Sequence, residues 1–309
     1  MSIPAVPDYP VDYTLIQPLN GTPYPAILVF VPTFDELYVP LVLRKPEGEG
    51  PFPVITMGRG DGRGGMPHVL AEVERLVPMQ DEMIRRGYAV AYVNYRHEIP
   101  RLYGQRGELT ELEDDMSGGE NRRLKSAATL DSDDLAAVWC YLAQRPWVKP
   151  GAIGALGISH GGEMILKAAA AGAPLAAGII AEGASHEFLS VNTGPGAPRR
   201  GGELQYQDIE VVRGEADREA ALARIRRIRT PMLHLSREGD HLQGIFELAH
   251  EWMAESGLDS TLRRFRHPDH GFSLIYDAGG RRFNPDPVQR EAFELCMAFF
   301  SDHLGPGDR

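Results

Sequence analysis

The segment that most limits what this chain can fold into is Gly157-Ile158-Ser159-His160-Gly161, a Gly-x-Ser-x-Gly pentapeptide between two runs of opposite character. Before it, Ala152-Ile153-Gly154-Ala155-Leu156 is short and apolar, as a buried strand is. After it, Glu163 to Ala171 is built mostly of strong helix formers. A strand that turns into a helix within five residues needs small neighbours at the turn. It also lifts the serine hydroxyl clear, with a helix N-terminus behind it. Strand, turn and helix together favour a nucleophilic serine over a chance cluster of glycine and serine.

The rest of the chain supplies the sheet that such a turn requires. Ala26 to Val31 and Leu37 to Leu43 are β-rich, joined by a turn at Pro32 to Glu36, and place strands in the first fifty residues. The pattern then alternates. Strands are expected at Pro53–Met57, Tyr88–Val93, Ala176–Ile180, Pro231–Leu235 and Thr261–Phe265. Helices are expected at Leu70–Arg86 (ending at Gly87), Leu130–Gln144 with Asp131 as its cap, Glu215–Arg227, Gly244–Ser256 and Pro287–Leu304. Alternation of this kind implies right-handed crossovers and an α/β fold with a mainly parallel sheet covered on both faces. Two segments break the rhythm, Ile99–Lys125 and Ala184–Gly214, each longer than an ordinary connection and read either as a binding loop or as surface decoration. Residues 1–309 are therefore expected to form one domain, with N-terminal strands over about 1–50 and insertions near 99–125 and 184–214.

A net charge of −11 argues against nucleic acid or an anionic membrane as the main partner. Met1 to Pro10 has neither a positive region nor an apolar run, and no apolar stretch would span a bilayer, so a cytoplasmic protein is the expectation. Cys140 and Cys296 lie in apolar helix-like runs and read as core residues rather than a disulfide or metal pair. No histidine and carboxylate spacing suggests a metal site, and no cofactor is expected.

A serine hydroxyl attacks only when a base takes its proton, and histidine suits that task near neutral pH. In an α/β sheet such groups lie on loops beyond the carboxyl ends of the strands. His250 and His303 fall in expected helices and His234 in a strand. His270 follows the last strand, in Arg266-His267-Pro268-Asp269-His270-Gly271-Phe272, with His267 as its near rival. The base needs a carboxylate to fix its tautomer. Asp240, in Ser236-Arg237-Glu238-Gly239-Asp240-His241, is the leading candidate, with Glu238 as competitor and Asp269 badly placed. The order Ser159, Asp240, His270 is that of a strand–turn–helix serine enzyme. With histidine as base, the rate is expected to fall as pH drops through roughly 6 to 7.

With these residues the chain resembles the α/β-hydrolases, and within them the dienelactone hydrolase and prolyl-oligopeptidase (S9-like) catalytic-domain group. The likeness rests on Gly157-Ile158-Ser159-His160-Gly161-Gly162, Val93-Asn94-Tyr95-Arg96, Thr230-Pro231-Met232-Leu233-His234-Leu235, the Asp240 loop and Asp269-His270-Gly271-Phe272. It runs from about Leu37 to Leu304. It implies an α/β-hydrolase fold and a serine esterase that passes through an acyl-enzyme on a small-molecule ester. It also implies an oxyanion hole made by the backbone amides of His160 and Arg59. An S9-like peptidase or acyl-peptide hydrolase is the alternative.

Three departures from the group matter. Its members usually carry His-Gly where this chain has Met57-Gly58-Arg59-Gly60. S9 peptidases carry a β-propeller, for which this sequence leaves no room. The dienelactone enzymes use cysteine where Ser159 stands. The last two favour general ester chemistry. Gly60, Arg63, Tyr95 and Arg96 are the candidates for substrate binding. Arg59 and Arg63 would either grip a carboxylate or stand as solvated loop cations; Tyr95 and Arg96 would line the pocket or anchor their loop. A nicotinamide oxidoreductase is disfavoured, because Gly154, Gly157, Gly161 and Gly162 do not fit the Gly-x-Gly-x-x-Gly spacing.

Overall fold

A computed structural model describes residues 14–35, 37–59, 65–96, 127–276 and 282–307. The N-terminal strands are β1 (Thr14–Gln17), β2 (Ala26–Pro32), β3 (Tyr38–Arg44) and β4 (Phe52–Gly58), followed by α1 (Gly65–Arg85) and β5 (Ala89–Val93). Next come α2 (Ala127–Ala143), β6 (Val148–Ile158), α3 (His160–Ala171), β7 (Ala177–Ala181) and the short β8 (Arg199–Arg200) and β9 (Glu203–Leu204). The chain closes with α4 (Ile209–Glu215), α5 (Arg218–Ile225), β10 (Met232–Arg237), α6 (Gln243–Glu255), β11 (Ser260–Phe265) and α7 (Pro287–Leu304).

Nine strands join in one sheet, ordered β1-β2-β3-β5-β4-β6-β7-β10-β11. The first three pairings along that order are antiparallel and the rest parallel, so the helix-connected part of the sequence supplies the parallel part of the sheet. Alternation along each strand divides the core in two. On β4 and β6, Val54, Ile153 and Ala155 face one side with Trp139 of α2, Met164 to Ala170 of α3 and Ile245 to Met253 of α6. Ile55, Leu156 and Ile158 face the other, with Val73 to Ile84 of α1 and Phe293 to Leu304 of α7. Both faces are covered, as continuous apolar strands demand. A buried polar chain crosses one face, where Trp139 Nε1 donates to Thr56 Oγ1 (3.0 Å) and Thr56 Oγ1 donates to the Gly154 carbonyl (3.1 Å).

Two expected helices differ, and so does one residue's burial. Asp131 does not cap a helix: α2 begins at Ala127, and Asp131 sits inside it, fully buried. The expected Glu215–Arg227 helix is shorter, α5 at Arg218–Ile225, and a separate helix, α4, precedes it and begins within the 184–214 insertion; Asp208 and Asp217 each cap their own, accepting from the N–H of Glu210 and Ala220. Each aspartate satisfies an end donor that a continuous helix would not leave open. Cys296 is buried as expected, whereas Cys140 is half-buried. Among the described residues no helix is long and apolar enough to cross a membrane.

Candidate active site

Ser159 lies between β6 and α3 with φ 52° and ψ −116°, a left-handed conformation that side-chain-bearing residues rarely adopt. Backbone hydrogen bonds hold it there. Its N–H donates to Ala181 O (2.9 Å), and its carbonyl accepts from Gly162, Glu163 and Ala184. Its side chain makes no capping bond to α3. The turn closes only because its neighbours are small. A Cβ on Gly157 would stand 2.4 Å from the Gly161 carbonyl oxygen. One on Gly161 would stand 2.8 Å from the carbonyl oxygens of Gly58 and Arg59. The same closeness lets Gly161 N–H donate to Arg59 O (3.1 Å), which fixes the end of β4 against the start of α3.

β6, β7, β10 and β11 are successive parallel neighbours, so the loops after them emerge along one edge of the sheet. Asp240 follows β10 and His270 follows β11, and His270 Nδ1 lies 2.7 Å from Asp240 Oδ2. A carboxylate only accepts, so Nδ1 carries the proton and Nε2 is left with its lone pair. Asp240 is fully buried and also accepts from Leu242 N–H (2.8 Å) and from Arg237 Nε (3.0 Å) and Nη2 (2.8 Å). Burial alone would raise its carboxyl pKa, but these bonds and the His270 charge hold it below the ordinary aspartate value. Burial likewise pulls His270 down, yet the Asp240 bond and the charges of Asp240 and Glu182 leave it above 6.5.

The rivals lie elsewhere. Glu238 is ion-paired with Arg266 on the surface, and Asp269 is exposed. His267 Nε2 is 2.9 Å from Asp286, and its ring stacks on Phe272. His160 leans on two buried partners: its Nε2 is 2.6 Å from Asp131 Oδ2, and its ring meets Tyr95 edge-on. Arg59 pairs with buried Glu72 at 3.1 Å, so it is not a solvated loop cation. Arg96 is an anchor, reaching Asp134 at 2.6 Å and Asp35 at 2.7 Å. Gly60, Arg63 and the 99–125 insertion lie outside the described residues. The 184–214 insertion is built into the body of the protein: Phe188, Leu189 and Tyr206 are buried, and Tyr206 N–H donates to His241 O (2.6 Å) beside Asp240.

Asp240, His241 and His270 bring one donor atom each within 4.8 Å of one another. The carboxylate is already engaged by Arg237, whose guanidinium opposes a cation at that point. Sequence alone does not single out two residues that meet here, Arg237 and Glu182. Glu182, directly after β7, is fully buried and accepts the N–H of Gly271. Its signal was its place, a carboxylate closing the apolar strand Ala177–Ala181 at the edge where the other groups emerge.

The family model for X-Pro dipeptidyl-peptidase (S15 family) matches residues 11–268, which include Ser159 and Asp240 and stop two residues short of His270. Solved structures share the fold. A carboxyl esterase 2 from the mycorrhizal fungus Tuber melanosporum is 18% identical, with 93% of this chain and 90% of that chain covered at a TM-score of 0.59. A dienelactone hydrolase from Anabaena variabilis is 16% identical, covering 92% and 100% at 0.55. The acylaminoacyl peptidase of Pyrococcus horikoshii is 19% identical, covering 91% of this chain and 42% of that one at 0.59. A search of curated proteins finds no match. The α/β-hydrolase fold expected from the elbow is the fold these structures share with the chain.

Proposed function

This chain belongs to the X-Pro dipeptidyl-peptidase (S15) family of serine hydrolases, and we propose that it cleaves carboxylic esters through an acyl-enzyme on Ser159. The observation that carries the reading is the 2.7 Å contact of His270 Nδ1 with buried Asp240, at the sheet edge where the strand that ends at the Ser159 turn also emerges. Ser159 Oγ attacks the ester carbonyl carbon while His270 Nε2 takes the hydroxyl proton. The amides of His160 and Arg59, at the N-terminus of α3 and the end of β4, hold the oxyanion. His270 then gives its proton to the alkoxide oxygen as the carbon–oxygen bond breaks. Water, deprotonated by the same nitrogen, releases the acid and restores Ser159. Asp240 stabilises the imidazolium in both halves.

A second reading, cleavage of a peptide bond after proline, is favoured by the family description itself. The same residues would serve, with an amine as leaving group. Hydrolysis of p-nitrophenyl acetate and of Ala-Pro-p-nitroanilide by one preparation separates the two. Esterase action is expected to give the higher kcat/KM on the ester, and faster turnover of the anilide would establish the peptidase.

The titration of His270 sets a further expectation. Its pKa lies above 6.5, so the neutral base needed for attack forms only as pH rises through that higher value. A profile of kcat/KM against pH is expected to climb on its acid side with a midpoint above 6.5. A profile level down to pH ~5 would remove histidine as the base.

A further inference from the structure

Two carboxylates, not one, converge on His270. Asp240 Oδ2 lies 2.7 Å from Nδ1, and Glu182 Oε2 lies 3.9 Å from the same nitrogen. Both carboxylates are fully buried. Glu182 has no rotational slack: its backbone sits at φ 49°, its N–H donates to Leu235 O (2.9 Å), and Oε2 accepts the N–H of Gly271, the residue after His270. Arg237 stands between the pair, with Nε 3.4 Å from Glu182 Oε1 and 3.0 Å from Asp240 Oδ2. Its Nη1 also donates to the carbonyls of His267 and Pro268 (both 3.3 Å), so the loop that carries His270 is tied at both ends.

We propose that Glu182 is the positioning residue of the His270 loop and a standby acceptor for Nδ1, which takes the proton of His270 in hydrogen bond when the Asp240 carboxylate is removed. The inference rests on the triad reading above. Its physical basis is simple. Gly271 cannot leave Glu182 without taking a hydrogen bond from a fully buried carboxylate, so the loop is pinned. A ring turn that brings Nδ1 about 1 Å closer to Oε2 makes an ordinary hydrogen bond. Facing Glu182 are His270 and Gly271 from the loop after β11, Asp240 from the loop after β10, and Arg237 from the end of β10. Burial, with Asp240 as a like charge and His270 and Arg237 opposing, pushes the Glu182 carboxyl up to about 7. Its negative charge therefore grows in the pH range where His270 loses its proton, and it favours the imidazolium as it does so.

The test is a cycle of E182Q, D240A and the double variant on p-nitrophenyl acetate, with S159A as the blank and thermal melting as the check on folding. Removing the acid from a triad that has no substitute costs about 10⁴-fold. Here D240A is expected to cost only about 10²-fold, E182Q alone about three-fold, and E182Q in the D240A background about thirty-fold more, a coupling that independent sites do not show. E182Q also moves the acid limb of the pH profile to lower pH, because a carboxylate that favoured imidazolium is gone. Equal cost of E182Q in both backgrounds, or an unmoved acid limb, would overturn the proposal. If E182Q does not fold, the proton spectrum of D240A decides: a strongly deshielded Nδ1 proton persists if Glu182 takes it and vanishes if not. That spectrum needs no turnover, so it separates failure of this inference from failure of the esterase reading, which wild-type protein inert toward the ester would show.

Discussion

Ser159→Ala is expected to lower kcat on p-nitrophenyl acetate by about 10⁴- to 10⁶-fold, the loss seen when the nucleophile of a serine triad is removed. Labelling by a fluorophosphonate probe should vanish with it. The substitution is a clean one. The hydrogen bonds that hold residue 159 in the turn use its backbone: its N–H to Ala181 O, and its carbonyl from Gly162, Glu163 and Ala184. The side chain caps nothing, and alanine at φ 52° carries the same backbone strain as serine. Melting temperature should therefore stay within about 2 °C of the wild type. Ester turnover that survives in a folded variant would remove Ser159 as nucleophile and leave the turn as a structural feature alone.

The parts of this molecule that were legible in the sequence are those where one local pattern had no competitor. The closing helix Pro287–Leu304 is legible to the residue, because Asp286 and Gln289 form a capping box at its start, Pro287 opens its first turn and Gly305 follows its end. Ile55, Leu156 and the other continuous apolar runs could only be strands covered on both faces. That His270 and Asp240 emerge at one sheet edge, where they meet, is legible because each follows a strand in an α/β alternation. Asp131 was misread for a physical reason: an aspartate near a helix start caps well, but it also lies buried inside a helix when a histidine such as His160 waits one element away, and only the tertiary structure brings that partner. The later start of α5, at Arg218 behind the cap Asp217, is hidden because the propensities of Glu215 to Arg227 are mostly helical. Glu182 and Arg237 were passed over as single charges in loops. Their meaning is a meeting of three separate strand ends, which no local pattern records.

The smallness of the turn makes the second large effect, and it separates folding from catalysis within five residues. Gly157→Ala puts a methyl 2.4 Å from Gly161 O and 2.7 Å from Gly162 N, both backbone atoms that no rotamer change can move. Overpacking against rigid atoms sits at the upper end of the usual range, about 3 kcal/mol, and should lower the melting temperature by about 6 °C or more. Gly161→Ala strikes elsewhere. Its methyl would stand 2.8 Å from the carbonyl oxygens of Gly58 and Arg59, and relief requires the end of β4 to move away from α3. On the proposed mechanism that movement takes the Arg59 amide from the oxyanion, and loss of one such donor costs about 10²- to 10³-fold in kcat. KM should change far less, because the oxyanion exists only along the reaction path. Gly172→Ala is the control at the far end of the same helix, with φ 90° and open space around its Cβ position. It carries a backbone penalty of about 1 kcal/mol, and kcat remains at the wild-type level. Wild-type kcat in a folded Gly161→Ala protein would mean that the amide of Arg59 does not face the oxyanion, and the second donor would then have to come from another backbone segment at the same strand edge.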